Sequence, residues 1–286
     1  MPLSSPDYPV VMGEGSAVSS DGTPIWFSDS GGDGPTVVLL HGITMTSISN
    51  FETRFGFGDD GRAGRVEGPT VASRLREAGA RVVGIDARGH GRSGRSPDPD
   101  RYRGDSHAND VTAVIDEIGS HEVDLVGYSM GATSAARLLG TENRLRSVAL
   151  CGTGPRHVVG DGVTSAVGFE LAAVGRCFQS NDWADHPEYK PYRAYARLDP
   201  MHDFESLGAA FLGLESVPAD RLSAAMVPVL VLNGGGDDPE DSAAKLAAMI
   251  PGATASVVGS ADHGFACSDD GFQAALISFL SQHWSP

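Results

Sequence analysis

The chain has 286 residues, with 21 Lys+Arg against 37 Asp+Glu and a formal net charge of −16. A hydrophobic fraction of 41% and a charged fraction of 20% fit one large domain, or a core with an insert, and exclude a mainly disordered chain. The acidic balance and the presence of only two lysines, Lys190 and Lys245, argue against a protein that binds nucleic-acid phosphates, because that affinity comes from Lys and Arg.

The sequence shows no feature of export or membrane insertion. The first 22 residues lack a basic segment followed by an apolar one, and no stretch approaches the roughly 18 apolar residues of a membrane span. The three cysteines, Cys151, Cys177 and Cys267, are widely spaced and predict neither a disulfide framework nor a zinc site. We therefore expect a cytoplasmic protein.

Short apolar runs alternate with helical periodicity along the chain, which is typical of a mainly parallel sheet with helices on both faces. The predicted strands are Pro24–Ser28, Thr36–Leu40, Arg81–Ile85, Glu122–Val126, Ser147–Cys151, Pro228–Leu232 and Ala255–Val258. Apolar residues at helical spacing predict two helices, one with Val111, Val114, Ile115 and Ile118, the other with Phe272, Leu276, Phe279 and Leu280. The predicted fold class is α/β.

Two segments interrupt this alternation. Thr44–Pro69 is long for a loop between a strand and a helix, and its three phenylalanines either line a pocket or anchor the loop. Residues 155–226 contain no obvious parallel strand but eight of the 20 aromatic residues of the chain. We predict that residues 155–226 form a helical cap, inserted into a core of residues 1–154 and 227–286. The cap aromatics either form a small core of their own or line a substrate cavity.

The most informative motif is Gly127-Tyr128-Ser129-Met130-Gly131, between the apolar run VDLV and the helix-like ATSAARLLG. In a nucleophile elbow, a serine lies at a strand-to-helix turn with a glycine two positions before it and another two positions after it. The turn strains the serine backbone, and glycines at the flanking positions avoid a clash. The hydroxyl then lies at a helix N-terminus, where backbone N–H groups stabilise negative charge. We predict Ser129 as a nucleophile; the alternative is a tight turn without chemistry.

A serine hydroxyl needs a base, and the base needs a carboxylate to fix its tautomer. Asp237 and Asp238 follow the predicted strand VPVLVL, and His263 is the first of the nine histidines to follow the last predicted strand. Counting three residues on from Gly234 favours Asp237 over Asp238. We therefore predict His263 as the base and Asp237 as its acid.

Other acidic and thiol groups are given structural roles. Asp86 precedes the nucleophile in the chain, and Asp262 is interpreted as a residue that stabilises the loop of the base. Cys151 and Cys267 are interpreted as small packing residues.

Acyl transfer also requires an oxyanion hole. One backbone N–H is expected from Met130, the residue after the nucleophile, and the second from the loop that follows an earlier strand. His41-Gly42-Ile43 ends the apolar run VVLL, and the second donor is assigned to Ile43, whose side chain would face an acyl pocket.

The segments LLHGI, IDARGHGRS, LVGYSMGA, VLNGGGD and GSADH, in this order and spacing, resemble the α/β-hydrolase fold family. The resemblance implies an eight-stranded, mostly parallel twisted sheet with an antiparallel first pair, flanking helices and a helical cap after strand six. By the same resemblance, the roles of the family's catalytic residues fall on Ser129 as nucleophile, Asp237 as acid, His263 as base, and Ile43 and Met130 as oxyanion donors. A serine at the elbow excludes the epoxide hydrolases and haloalkane dehalogenases of this fold, which carry aspartate there. The long Thr44–Pro69 segment departs from the family pattern.

These observations predict a serine hydrolase that cleaves a carboxylic ester or lactone of a small, largely apolar substrate. One alternative is a C–C bond hydrolase or perhydrolase that uses the same residues, and another is a non-catalytic protein that binds a small ligand. No cofactor is expected, because the glycine-rich GGDG and NGGGDD runs lack the patterns of phosphate loops. No metal is expected either, since His186, Asp199, His202 and Asp203 are interpreted as solvated helix ends. The expected partner is a small-molecule substrate; the sequence does not indicate an oligomeric state.

Overall fold

The apolar β-branched runs of the chain form the strands of one central sheet. The structure, a computed structural model, describes residues 13–57, 63–160, 170–197, 199–237 and 242–284. Its strands are β1 (Glu14–Val18), β2 (Pro24–Asp29), β3 (Thr36–Leu40), β4 (Phe55–Phe57), β5 (Ala63–Arg65), β6 (Arg81–Ile85), β7 (Val123–Tyr128), β8 (Leu145–Cys151), β9 (Val229–Gly234) and β10 (Thr254–Val258). Eight of them form the sheet in the order β1-β2-β6-β3-β7-β8-β9-β10, and β4 and β5 form a separate hairpin.

Helices cover the sheet and extend beyond it. They are α1 (Val71–Glu77), α2 (Ser106–Glu117), α3 (Met130–Leu138), α4 (Pro155–Val158), α5 (Leu171–Ser180), α6 (Lys190–Ala196), α7 (Phe204–Gly213), α8 (Ala219–Ser223), α9 (Ala243–Ala247) and α10 (Asp270–Ser281). The five helices α4 to α8 all lie between β8 and β9, which are the sixth and seventh sheet strands along the chain. No helix in the described ranges is both long enough and apolar enough to cross a membrane.

The predicted fold class is confirmed. β2 runs antiparallel to both β1 and β6, and the other neighbouring strands of the sheet are parallel. All seven predicted strands occur, with ends within two residues of the predicted ones. The residue pattern did not predict β1, because among the described strands this one pairs only with β2, and most of its residues are not buried. It also missed the short hairpin of β4 and β5.

The two faces of the sheet pack against different helices, as alternation of side chains along a strand requires. In β3, Val38 and Leu40 pack in a cluster with residues of α2 and α3, whereas Val37 and Leu39 pack in a cluster with residues of α1 and α10. Every residue of β3 is buried. Both predicted helical stripes face the sheet, and their buried residues are Val111, Val114 and Ile115 in α2 and Phe272, Leu276 and Leu280 in α10.

The Thr44–Pro69 segment is tied to the core by one phenylalanine. Phe51, only 1% exposed, belongs to the cluster that contains Val71 and Leu75 of α1. The backbone of the segment forms a π-helical turn over Ile48–Glu52, which includes Phe51. Phe51 therefore anchors the segment and does not line a pocket. Phe55 lies in the hairpin strand β4.

The start of α3 approaches β3 so closely that only glycine fits there. A Cβ on Gly131 would lie 2.1 Å from the carbonyl oxygen of Leu40, and a Cβ on Gly127 would lie 2.2 Å from the carbonyl oxygen of Gly131. Backbone atoms cannot move aside as the end of a flexible side chain can. This contact therefore sets the distance between α3 and the sheet.

We expect Gly131→Ala to lower the free energy of unfolding by about 3 kcal/mol, because the new methyl group forces α3 away from β3. Gly64→Ala in β5 is the control, since a Cβ there meets no atom within 4 Å. Urea unfolding followed by circular dichroism measures both variants. Equal stability of the two would show that α3 tolerates displacement.

Candidate active site

Ser129 lies at the turn between β7 and α3 with a strained backbone. Its φ of 53° and ψ of −114° place it in a region that residues with a side chain rarely adopt. The Ser129 N–H donates to the carbonyl oxygen of Cys151 at 2.9 Å, and the Ser129 carbonyl accepts from the N–H of Ala132 at 2.9 Å. The glycine contacts on either side hold the turn in this conformation. The geometry is that of the predicted nucleophile elbow.

The structure brings Asp237 and His263 into direct contact. His263 Nδ1 lies 3.0 Å from Asp237 Oδ1, although the two residues are 26 positions apart. The second carboxylate oxygen of Asp237 accepts the N–H of Gly234 at 3.0 Å, and the side chain of Asp237 is 4% exposed. The alternative acid, Asp238, lies outside the described residues.

This contact fixes the tautomer of His263. An ionised carboxylate only accepts hydrogen bonds, so Nδ1 of the neutral imidazole carries the proton and donates it to Asp237. Nε2 is then unprotonated and able to accept a proton. His263 and Ser129 line the same cavity, so that a hydroxyl and a proton acceptor share one site.

Side-chain hydrogen bonds orient the peptide unit between Gly42 and Ile43. The Gly42 carbonyl oxygen accepts from His41 Nδ1 at 2.8 Å and from the N–H of Met45 at 3.2 Å. In a trans peptide the N–H points opposite to the carbonyl, so the N–H of Ile43 points away from His41. His41 Nε2 accepts the N–H of Ala87 at 2.9 Å, which keeps the proton on Nδ1. Ile43 lines the cavity beside Ser129.

The N–H of Met130 is available for the same reason that every helix N-terminus has free donors. Met130 is the first residue of α3 and also lines the cavity. Within the part of the chain that the structure describes, the N–H groups of Met130 and Ile43 donate to no protein acceptor. Two free N–H groups next to a serine hydroxyl can stabilise a developing oxyanion.

A side chain of the Thr44–Pro69 segment completes the wall of the site. Asn50 Oδ1 accepts the N–H of Gly42 at 2.8 Å, and Asn50 Nδ2 donates to Cys267 Sγ at 3.3 Å. Asn50 thereby connects the loop of Ile43 with the residues that follow His263. Cys267 acts as a packing and acceptor group. Burial raises the pKa of its thiol, as it does for the fully buried Cys151, so neither is a reactive thiolate.

A cavity of about 300 Å³ lies above Ser129. The core contributes residues that include Ile43, Met45 and Met130, and the segment between β8 and β9 contributes His157, Leu171, Pro191, Tyr192, Tyr195 and Leu214. Its lining is mainly apolar, and its polar residues include Thr44, Asn50, Ser129, His157, Asp262 and His263. A cavity of this size and character fits a small organic substrate.

The aromatic residues of the inserted segment divide between the two predicted roles. Phe178, Trp183 and Phe211 form a buried cluster of their own, with the rings of Phe178 and Phe211 stacked 5.5 Å apart. Tyr195 lines the cavity, and Tyr192 lines it while its ring also packs edge-on against Phe211.

The interpretation of Asp199 as a solvated helix end is wrong. Asp199 is only 5% exposed, and its Oδ2 accepts the hydroxyl of Thr46 at 3.0 Å. His202 Nε2 lies 3.3 Å from the carbonyl oxygen of Met45, and its ring packs edge-on against the ring of His90. These side chains join the inserted segment to the loop of Ile43. No group of His, Cys, Asp or Glu able to hold a metal ion occurs among the described residues.

Sequence reasoning missed His41, Asn50 and Tyr128. His41 and Tyr128 stood inside the motifs, but the Ala87 N–H that His41 accepts and the His263 carbonyl oxygen that Tyr128 contacts lie on other elements. Asn50 gave no signal, because its partners Gly42 and Cys267 are distant in sequence or belong to an irregular loop.

Comparison with known proteins agrees with this fold. A sequence model described as alpha/beta hydrolase fold matches residues 35–182, which is more than half of the chain. The chain belongs to the alpha/beta hydrolase fold family, as the motifs indicated.

Individual relatives have different activities. A non-heme chloroperoxidase from Kitasatospora aureofaciens is 27% identical over 92% of this chain and 98% of its own. A non-heme haloperoxidase from Rhodococcus erythropolis is 28% identical over 92% of this chain and 97% of its own. Among solved structures, an esterase from Exiguobacterium antarcticum aligns with a TM-score of 0.71 and 23% identity, over 93% of this chain and 98% of that one.

Three buried histidines near the site make stability depend on pH. Burial lowers the pKa of His41 and His90, and it lowers the pKa of His107 to about 3. The unfolded chain protonates these groups near pH 6.5, so below that pH it binds more protons than the folded chain. The free energy of unfolding therefore falls as the pH decreases from 6.5 towards the lowered values, by about 1.4 kcal/mol per pH unit for each histidine.

We expect His107→Gln to reduce this slope by about 1.4 kcal/mol per pH unit between roughly pH 5.5 and 4, because it removes one titrating group. His121→Gln is the control, since His121 is exposed. Urea unfolding at a series of pH values gives the slopes. The same slope in both variants would mean that His107 is protonated in the folded protein.

Proposed function

We propose that the protein is a serine hydrolase that cleaves a carboxylic ester or lactone of a small, largely apolar substrate through an acyl-enzyme on Ser129. The observation that carries the proposal is the contact of His263 Nδ1 with Asp237 Oδ1, in a cavity that also contains a strained serine. This arrangement supports acyl transfer because it supplies a nucleophile, a base of fixed tautomer and free N–H donors together.

In the proposed mechanism, Ser129 Oγ attacks the carbonyl carbon of the substrate while His263 Nε2 takes the hydroxyl proton. Asp237 stabilises the imidazolium that forms, and the N–H groups of Ile43 and Met130 stabilise the oxyanion. His263 then gives the proton to the leaving alcohol. Water then attacks the acyl carbon while His263 takes its proton, and His263 returns this proton to Ser129 Oγ as the bond to Ser129 breaks and the carboxylic acid leaves.

The lining of the cavity supports an uncharged substrate. None of the described residues that line it is Lys or Arg. A buried carboxylate without a cationic partner is costly, so a neutral acyl group fits better than an acid. The net charge of −16 also repels anionic substrates.

We further propose that residues 155–226 act as the cap over a core of residues 1–154 and 227–286. Helices α4 to α8 belong to this segment, and six of the cavity residues lie on or beside its helices, namely His157, Leu171, Pro191, Tyr192, Tyr195 and Leu214. A reducing, cytoplasmic location is consistent with Cys151, Cys177 and Cys267, which are all free thiols.

A second candidate, perhydrolase activity, is favoured by the relatives named as chloroperoxidase and haloperoxidase. The acyl-enzyme on Ser129 would be the same. Hydrogen peroxide would replace water as the second nucleophile, so that the product is a peracid and the serine is regenerated.

We expect hydrolysis of p-nitrophenyl esters across a graded series of acyl chains, with an optimum set by the cavity volume. Ser129→Ala should abolish this turnover, because it removes the nucleophile. Ser134→Ala is the matched control, since this buried serine lies one turn further along α3 and its hydroxyl donates to the Met130 carbonyl. Turnover is followed by release of p-nitrophenolate, and covalent labelling by a fluorophosphonate reports activation of Ser129 directly.

Activity that survives Ser129→Ala would contradict the proposal. No turnover and no labelling would favour a ligand-binding protein, whereas labelling without ester turnover would favour C–C bond cleavage. Peracid formation from an ester and hydrogen peroxide, measured by oxidation of bromide, would establish the perhydrolase activity.

Asp237→Asn should lower kcat by a factor of about 10³–10⁴, because the amide favours the wrong tautomer of His263. Asp238→Asn makes the same change of charge at the neighbouring position and should lower kcat far less. Steady-state kinetics on the best ester compare the two. A larger loss in the Asp238 variant would reassign the acid.

A further inference from the structure

The peptide unit that follows the base is held at both of its polar groups. The hydroxyl of Tyr128 donates to the carbonyl oxygen of His263, and Asp262 Oδ1 accepts the N–H of Gly264 at 3.0 Å. Asp262 belongs to the same loop as His263, but Tyr128 is the last residue of β7. The hydrogen bond from Tyr128 therefore ties the loop of the base to the central sheet.

The tyrosine itself has little freedom to move. It is 5% exposed, and its ring centroid lies 5.2 Å from that of His263 and 6.2 Å from that of Phe272. Gly152 has a φ of +60°, and a Cβ there would lie 2.8 Å from the Tyr128 ring. A ring packed on these sides keeps its hydroxyl in one place.

Tyr128 also precedes Ser129 in the chain. The residue that leads into the nucleophile thus directly contacts the residue that carries the base. A proton transfer between Ser129 and His263 requires their separation to be correct within a fraction of an ångström. A hydrogen bond from the elbow to the loop of His263 fixes that separation better than packing of the loop alone.

We infer that Tyr128 is a positioning residue, which holds the backbone of His263 so that its imidazole faces Ser129. This inference rests on the proposed function for its effect on catalysis, but the position of His263 is measurable without activity. Burial raises the pKa of Tyr128 well above its usual range, so the hydroxyl stays a donor throughout the working pH range.

Tyr128→Phe removes this hydrogen bond and keeps the ring. We expect kcat to fall about tenfold with KM within about twofold, because the base is misplaced in the transition state while substrate binding is not changed. The rate of inactivation by a fluorophosphonate should fall by a similar factor.

Tyr102→Phe is the matched control. Tyr102 is also buried, and its hydroxyl donates to the carbonyl oxygen of Ser96 at 2.7 Å and accepts the N–H of Ser96 at 3.1 Å. This variant loses at least as many hydrogen bonds but does not touch Ser129, Asp237 or His263. Its kcat and inactivation rate should equal those of the unmodified protein.

A second background tests whether Tyr128 acts through His263. When His263 is replaced by alanine, Tyr128→Phe should cause no further loss of the residual rate, because residues that act as a unit are not additive. A tenfold further loss in the His263→Ala background would overturn the inference. So would equal kinetics for Tyr128→Phe and Tyr102→Phe in the otherwise unmodified protein.

The position of His263 is read independently by proton NMR of its Nδ1–H, with Asp237→Asn and His263→Ala used to assign the signal. We expect a downfield resonance that is retained in Tyr102→Phe and broadened or lost in Tyr128→Phe. An unchanged signal in Tyr128→Phe would overturn the inference, whether or not the protein hydrolyses esters. Failure of the proposed function would appear instead as absence of fluorophosphonate labelling in the unmodified protein.

Discussion

The site depends on one close backbone contact, between the first turn of α3 and the end of β3. Gly131 meets the carbonyl oxygen of Leu40 at a distance that admits no side chain. Leu40 is the last residue of β3, and the loop with Ile43 begins directly after it. The same contact therefore fixes the distance between α3, which begins at Met130, and the loop of Ile43. A displacement of α3 would separate them, which is why the strained conformation of Ser129 is maintained by packing and not by its own preference.

Beyond this contact, the site is built from peptide units that have left the sheet. At the end of a strand the backbone polar groups lose their ladder partners and must find others. The Gly42 carbonyl oxygen accepts from the imidazole of His41, and the Gly42 N–H donates to Asn50. The His263 carbonyl oxygen accepts from the hydroxyl of Tyr128. Each of these partners satisfies a buried backbone group and also fixes the orientation of the peptide unit to which that group belongs. The bonds that keep the loops folded are thus also the bonds that orient the N–H of Ile43 and the imidazole of His263.

The extent to which the sequence predicts this structure follows from the range of each interaction. The elbow is local, because Gly127, Ser129 and Gly131 determine it within five residues, and the proximity of Asp237 and His263 could be inferred from strand ends. Asn50 and Asp199 could not, since their partners lie elsewhere in the fold: Asp199 contacts Thr46 across 153 positions. An acidic residue in a polar segment is typical of a solvated surface, and only the packing of that segment on the core buries it. β1 was missed for the opposite reason, because an exposed edge strand needs few apolar residues.

The contacts of Asp199 and His202 also link the shape of the cavity to the position of the peptide unit of Ile43. Asp199 holds Thr46, and His202 faces the carbonyl oxygen of Met45, whose own N–H holds the Gly42 carbonyl. The segment that supplies Tyr192 and Tyr195 to the cavity is therefore connected, within two hydrogen bonds, to the peptide unit of Ile43. A change that widens the cavity by shifting this segment would also loosen the N–H of Ile43. Tyr192 and Tyr195 lie on α6, whereas Asp199 and His202 follow it, so the side chains that shape this wall of the cavity differ from those that hold the loop of Ile43.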